Sequence, residues 1–205
     1  MSDPEKISFT ASYHHGDLKT ALVIAAAELV TCRGASAVSL REVARILGVS
    51  HNAPYRHFST RQALLAAVAA YGFETLINEM EMAIRAGDPA ERLHAIGWCY
   101  LAFALRQRGV YHLMFGGEIR KSDHPDLLAI GERAFTTLAQ QVAPLAPTLD
   151  ARLATITAFA LMHGIAHLLL DKQLENYESD HSEREELVTA ATGVLTEGLS
   201  KVKLS

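Results

Sequence analysis

The chain has 205 residues, enough for one large or two small domains with a buried core, and 49% hydrophobic with 20% charged residues is ordinary for a soluble globular protein. Two cysteines, Cys32 and Cys99, are too few for a disulfide scaffold, which points to a reducing cytosol. A net charge of −4 argues against a nucleic-acid binder until it is divided along the chain.

The first residues, MSDPEKISFTAS, hold no apolar signal core. The longest nearly apolar run, 158–170, contains two histidines and is read as too short to span a membrane. A cytoplasmic location with no membrane partner is expected. Tyr13, His14 and His15 precede the first helix and either order on a partner or fray. Leu18, Leu22, Ala25, Ala26 and Leu29 then give that helix an apolar stripe. Cys32 beside Arg33 reads as an inert thiol near the end of a buried helix, with a redox-sensing thiol as the alternative.

Residues 39–65 are the most informative stretch. Ser39 and Glu42 have capping-box spacing, and Leu40, Val43, Ala44 and Leu47 share one helical face. Gly48 supplies a left-handed residue that ends this helix, and Ser50 is placed to cap a second one. This is the layout of a helix-turn-helix, whose second helix enters the DNA major groove. His51, Asn52, Tyr55, Arg56 and His57 carry hydrogen-bonding groups where a core helix would carry Leu or Val. Pro54 removes one helical amide, so a tight, 3₁₀-like first turn is expected there. Ser59 with Gln62 suggests the next cap, and Arg61 beside it is placed to hold a phosphate.

The charge now divides sensibly. Residues 1–61 hold seven Lys/Arg against five Asp/Glu, whereas residues 62–205 hold twelve against eighteen. The basic excess lies with the helix-turn-helix and is small, so binding to DNA is expected to rely on pairing two protomers.

The stretch resembles the DNA-binding domain of the TetR family of one-component bacterial regulators. The resemblance is carried by Arg41-Glu42, Gly48-Val49-Ser50, Tyr55-Arg56-His57-Phe58, Arg61 and Leu64-Leu65. Upstream, Tyr13 to Leu18 and Arg33-Gly34 are similar to the entry and exit of the family's first helix. It implies phosphate contacts by Tyr55, His57 and Arg61, and it adds to the expectation that the protein forms a homodimer on double-stranded DNA. The DNA-contacting set is therefore Ser39, Arg41, Ser50, His51, Asn52, Tyr55, Arg56, His57 and Arg61, with Asn52 suited to reading adenine.

Downstream, a long helix from about 61 runs to Gly87-Asp88-Pro89, followed by a helix over about 90–107, a break at Gly109 and a short piece over 110–115. Gly116-Gly117 and the polar run 118–124 read as a loop, Pro125 starts a helix, and Pro144 with Pro147 ends it. Phe159 to Gly164 resembles the motif of a TetR subgroup named for a Trp and a later His-Gly, with Phe159 in place of the Trp. An apolar effector pocket is expected at Trp98, Phe103, Phe115, Phe159, Met162 and His163. His163 and His167 have the spacing of metal ligands, but no Glu or Cys accompanies them, and hydrogen-bonded histidines are expected instead.

Residues 151–174 are apolar nearly all round, and the last helix repeats apolar residues from Leu187 to Val202. These two helices are expected to form a two-fold interface through Leu153, Ile156, Ala160, Gly164, His167, Leu187, Ala191, Val194, Leu195 and Leu199. The expected fold is all-α: an arm and three-helix helix-turn-helix domain over 1–61, then a helical effector-binding and dimerisation domain over 62–205. The expected function is a ligand-responsive, homodimeric repressor with a near-palindromic operator. It needs a small-molecule effector, no cofactor or metal, and no catalytic residues. The alternative is a helical ligand-binding or interaction protein that has lost DNA binding.

Overall fold

A computed structural model describes residues 18–84, 87–174 and 181–202. Tyr13, His14 and His15 lie outside the described residues. Eight α-helices and four short 3₁₀ turns make up the regular structure of the described residues, which contain no strand.

Helix α1 (Leu18–Arg33) buries Leu22, Ala25, Ala26 and Leu29, the expected stripe. Cys32 is exposed rather than buried, because it lies on the outer side of the last turn. Helix α2 (Leu40–Leu47) starts where the Glu42 amide donates to the Ser39 hydroxyl at 3.1 Å. Only half of the expected capping box forms. The Glu42 carboxylate turns away to accept from Arg45 at 2.7 and 2.9 Å, an exchange of a neutral partner for a charged one. Gly48 ends α2 with φ 67°, and its amide reaches the Ala44 and Arg45 carbonyls.

The expected second short helix is reduced to turns and one 3₁₀ turn, Pro54–Arg56. Ser50 makes no side-chain cap; its carbonyl accepts from the Ala53 amide instead. Pro54 opens the 3₁₀ turn, where its missing N–H leaves no hydrogen bond unmade. The next cap also moves by one residue: Thr60, not Ser59, has extended backbone and accepts from the Ala63 amide at 3.0 Å.

Helix α3 (Arg61–Ala83) has 23 residues, a length of roughly 35 Å at 1.5 Å per residue. It buries Leu64, Leu65, Val68, Phe73, Leu76, Ile77 and Met80. Helices α4 (Pro89–Arg106), α5 (Arg108–Phe115) and α6 (Pro125–Val142) pack around it. Asp88 and Glu91 form a complete capping box at the start of α4. The break before α5 falls at Gln107 and not at Gly109, which lies inside α5. Gly109 is where α5 crosses α1: a Cβ there would run into the Val30 carbonyl. Through this crossing the apolar core of α1–α3 continues without interruption into α4, α5 and α7.

Helix α7 (Ala151–Leu170) is capped by Asp150, whose carboxylate accepts from the Leu153 amide. It buries Ala154, Thr155, Ala158, Met162, Ile165, Ala166 and Leu169 against its own protomer. At 20 residues it is long and apolar enough to cross a membrane by length and composition, which corrects the reading from run 158–170. Less than half of it is buried, so two apolar faces share one helix: one in the core, the other outward. Helix α8 (His181–Lys201) packs beside α4 and α7, with Val188, Thr192, Leu195 and Leu199 inward.

Candidate nucleic-acid interface and apolar cavity

Segment 50–58 is held at two points. Pro54 is buried and Phe58 is 5% exposed in the core shared with α1 and α3. Between and before these anchors, the side chains of Ser50, His51, Asn52, Tyr55, Arg56 and His57 are exposed. Tyr55 is half exposed, a large aromatic at the surface. Arg41 on α2 is exposed too. The surface so made is rich in donors, which suits phosphate oxygens and base edges. Ser39 is also exposed, although its hydroxyl already serves the α2 cap.

Arg61 departs from its expected role. Its guanidinium donates to the Val38 carbonyl at 2.9 Å and the Ala35 carbonyl at 2.7 Å, and it pairs with Glu118 at 3.2 Å. The Val38 carbonyl, together with the Ala35 carbonyl that already accepts from the Val38 amide, draws it inward. The residue therefore ties the start of α3 to the loop ahead of α2 and to the segment after α5.

A cavity of about 620 Å³ is bounded by α3 to α8 and the 3₁₀ turn Lys121–Asp123. Its walls are mainly apolar, and Phe115, Phe159 and Met162 stand in them as expected. Three other expected residues do not. Trp98 packs on His181, with ring centroids 4.8 Å apart. Phe103 is 1% exposed within the core. His163 sits one layer back, stacked against Phe159 at 4.9 Å. Helical periodicity identifies apolar faces, but it does not distinguish a core wall from a cavity wall.

Two polar residues of the wall define its chemistry. Tyr100 belongs to a buried network in which its hydroxyl lies 3.2 Å from that of Tyr111, and both lie within 2.8 Å of His163 Nδ1. Burial raises both phenols, Tyr111 to about 12, so each remains a neutral donor. Burial likewise pulls His163 down to about 4, helped by the charges of His167 and Lys121. Tyr100 donates to Tyr111, and the direction of the two contacts at His163 Nδ1 follows the tautomer of the ring. The second is Lys121, from the polar run read simply as a loop. The 3₁₀ turn Lys121–Asp123 delivers its side chain into the cavity wall.

His163 and His167 have ring centroids 4.5 Å apart, and no group of three or more metal-ligating side chains occurs among the described residues.

On the outer face of α7, Leu153 and Ile156 are exposed, as is Ala160. Gly164 and His167 are half-buried, and nothing approaches within 4 Å of the place a Gly164 Cβ would occupy. On α8, Val194 is 74% exposed, and Leu187 and Ala191 are half-buried. Leu195 and Leu199 correct the expected interface: both are buried in a second apolar cluster with Leu93, Val142, Ala154 and Ala158. The repeat along α8 merges an inward stripe with an outward one.

The class of protein follows from a donor-rich helix-turn-helix surface joined through a shared core to helices enclosing an apolar cavity. Residues 22–68 match the sequence profile described as bacterial regulatory proteins, tetR family. Residues 93–192 match the profile described as tetracyclin repressor-like, C-terminal domain. The chain belongs to the TetR family of bacterial regulatory proteins. The HTH-type transcriptional activator FasR of Mycolicibacterium smegmatis is 33% identical over 95 residues, which is 46% of this chain. That match spans 43% of the relative's length. A solved structure of a protein with unknown function from Rhodococcus sp. RHA1 is 33% identical, with 93% of this chain and 99% of that one covered and a TM-score of 0.80. The TetR family transcriptional regulator PfmR from Thermus thermophilus shares the fold at 19% identity, with 87% of this chain and 98% of that one covered and a TM-score of 0.63. Neither profile description names the subgroup expected from Phe159 to Gly164.

Proposed function

We propose that the protein is a sequence-specific DNA-binding transcriptional regulator that acts as a homodimeric, ligand-relieved repressor in the cytoplasm. The observation that carries this reading is segment 50–58, pinned by buried Pro54 and Phe58 so that His51, Asn52, Tyr55, Arg56 and His57 stand outward together. The outward apolar residues of α7 and α8, Leu153, Ile156, Ala160 and Val194, would meet their two-fold copies, with Gly164, His167, Leu187 and Ala191 around them. Residues 1–61 serve DNA; residues 62–205 serve dimerisation and the effector, with no cofactor and no membrane involved. Effector in the cavity would favour a dimer whose two heads no longer fit successive major-groove turns.

The reduction of the second helix to one 3₁₀ turn favours a second reading, a helical ligand-binding protein without DNA affinity. Titration of duplex DNA at two salt concentrations separates them. A regulator shows binding that weakens steeply as salt rises and prefers some sequences; the second reading predicts no binding at either salt.

A further inference from the structure

The cavity wall contains one cation whose surroundings are unusual for a lysine. The Lys121 ammonium lies 5.3 Å from the ring centroid of Phe73 and 5.6 Å from that of Phe115. Among the described residues, no carboxylate comes within the 4.0 Å of an ion pair with it. The neighbouring acids are engaged elsewhere: Glu118 holds Arg61, and Asp123 accepts from the Ser122 hydroxyl. Glu132, which also lines the cavity, is exposed to solvent. Burial draws the ammonium below the ordinary lysine value.

A partly desolvated ammonium held only by ring faces is under-compensated, since a cation–π contact is weaker than a charge-assisted hydrogen bond in the same place. The remainder of the cavity is mainly hydrocarbon and aromatic, and 620 Å³ falls within the range of small-molecule sites. We infer that the cavity takes a hydrophobic monocarboxylate, its carboxylate on Lys121 and its apolar body along Phe73, Phe115, Phe159 and Met162. This rests on the reading of the cavity as the effector site of a regulator. An apolar cation is disfavoured because it would place like charges together. An uncharged hydrocarbon would leave the ammonium as it is now.

Calorimetric titration of the full chain with dodecanoate against dodecanol, and with cinnamate against cinnamyl alcohol, tests the inference without any substitution. At least one acid should bind roughly tenfold or more tightly than its own alcohol, the ratio expected for gaining a charge-assisted hydrogen bond. Lys121→Met should abolish that preference while leaving alcohol binding intact, and Lys121→Arg should retain it. Equal binding of acid and alcohol, tighter binding of dodecylammonium, or a preference that survives in Lys121→Met would overturn the inference. Operator affinity is measured in the same samples. Binding through Lys121 with unchanged operator affinity keeps the ligand assignment and removes the ligand-relieved regulator. No acid preference, alongside release of DNA by some other small molecule, does the reverse.

Discussion

Arg61 and Glu118 join at 3.2 Å, linking the first residue of α3 to the segment that follows α5. Three residues beyond Glu118, Lys121 enters the cavity wall. One short segment therefore touches the DNA-facing head at one end and the cavity at the other. Arg61 also holds the Ala35 and Val38 carbonyls, so the contact reaches the lead into α2.

Arg61→Met should consequently act on the fold of the head and not on a phosphate. Loss of three hydrogen bonds from a charged donor at a partly exposed position is expected to cost about 1–3 kcal/mol of stability. DNA affinity should fall, but the slope of log affinity against log salt should stay the same. A slope reduced by about one would return Arg61 to the phosphate backbone.

Tyr55→Phe and Asn52→Ala separate holding from reading. Without its hydroxyl, Tyr55 should lose affinity for every sequence about equally, with the preferred site unchanged. Removal of the Asn52 amide should relax preference at one base position by about 1–3 kcal/mol. Competition binding over a set of single-base site variants checks both, and an identical preference profile in Asn52→Ala would show that it reads no base.

The half-buried imidazole of His163 makes stability depend on pH. Its folded-state value, about 4, lies below the ordinary 6.5, so the unfolded chain binds the extra proton first. Stability should be unaffected by this group above pH about 6.5, decline as pH falls toward about 4, and level off below that. His163→Gln keeps an acceptor for the tyrosine pair and should flatten this part of the profile. Thermal melts across the window, compared between the two proteins, provide the measurement; parallel curves would exclude His163 as the source.

Val194 tests the proposed two-fold face. It is 74% exposed in one protomer, so Val194→Asp should change monomer stability by no more than about 0.5 kcal/mol. If α7 and α8 pair across a dimer, the same change buries a carboxylate and should shift sedimentation toward the monomer at micromolar concentration. An undisturbed dimer would place the interface elsewhere.

Much of the helical order was legible from local chemistry. Ser39, Gly48, Pro125 and the Pro144–Pro147 pair act within a turn or two of their own position, so their effect is readable from neighbours in sequence. The two missed caps differ in scale. Ser59 and Thr60 offer equivalent hydroxyls, and residue type alone does not tell which adopts the extended backbone of a cap; Thr60 does. Arg61, Tyr100 and Lys121 are different in kind. Their partners lie far along the chain: Arg61 reaches Glu118, Tyr100 meets His163, and Lys121 rests on Phe73. No periodicity encodes such contacts. The apolar repeats in α7 and α8 failed for a related reason, since an inward face and an outward face look alike when both are hydrophobic.

Selection of bound sites from random duplex DNA by the purified chain tests the central claim most directly. The account predicts an enriched inverted repeat whose half-site centres are one helical turn, about 34–36 Å, or a multiple of it apart. Absence of any enriched sequence at low salt would contradict it, and the exposed side chains of segment 50–58 would then need another partner.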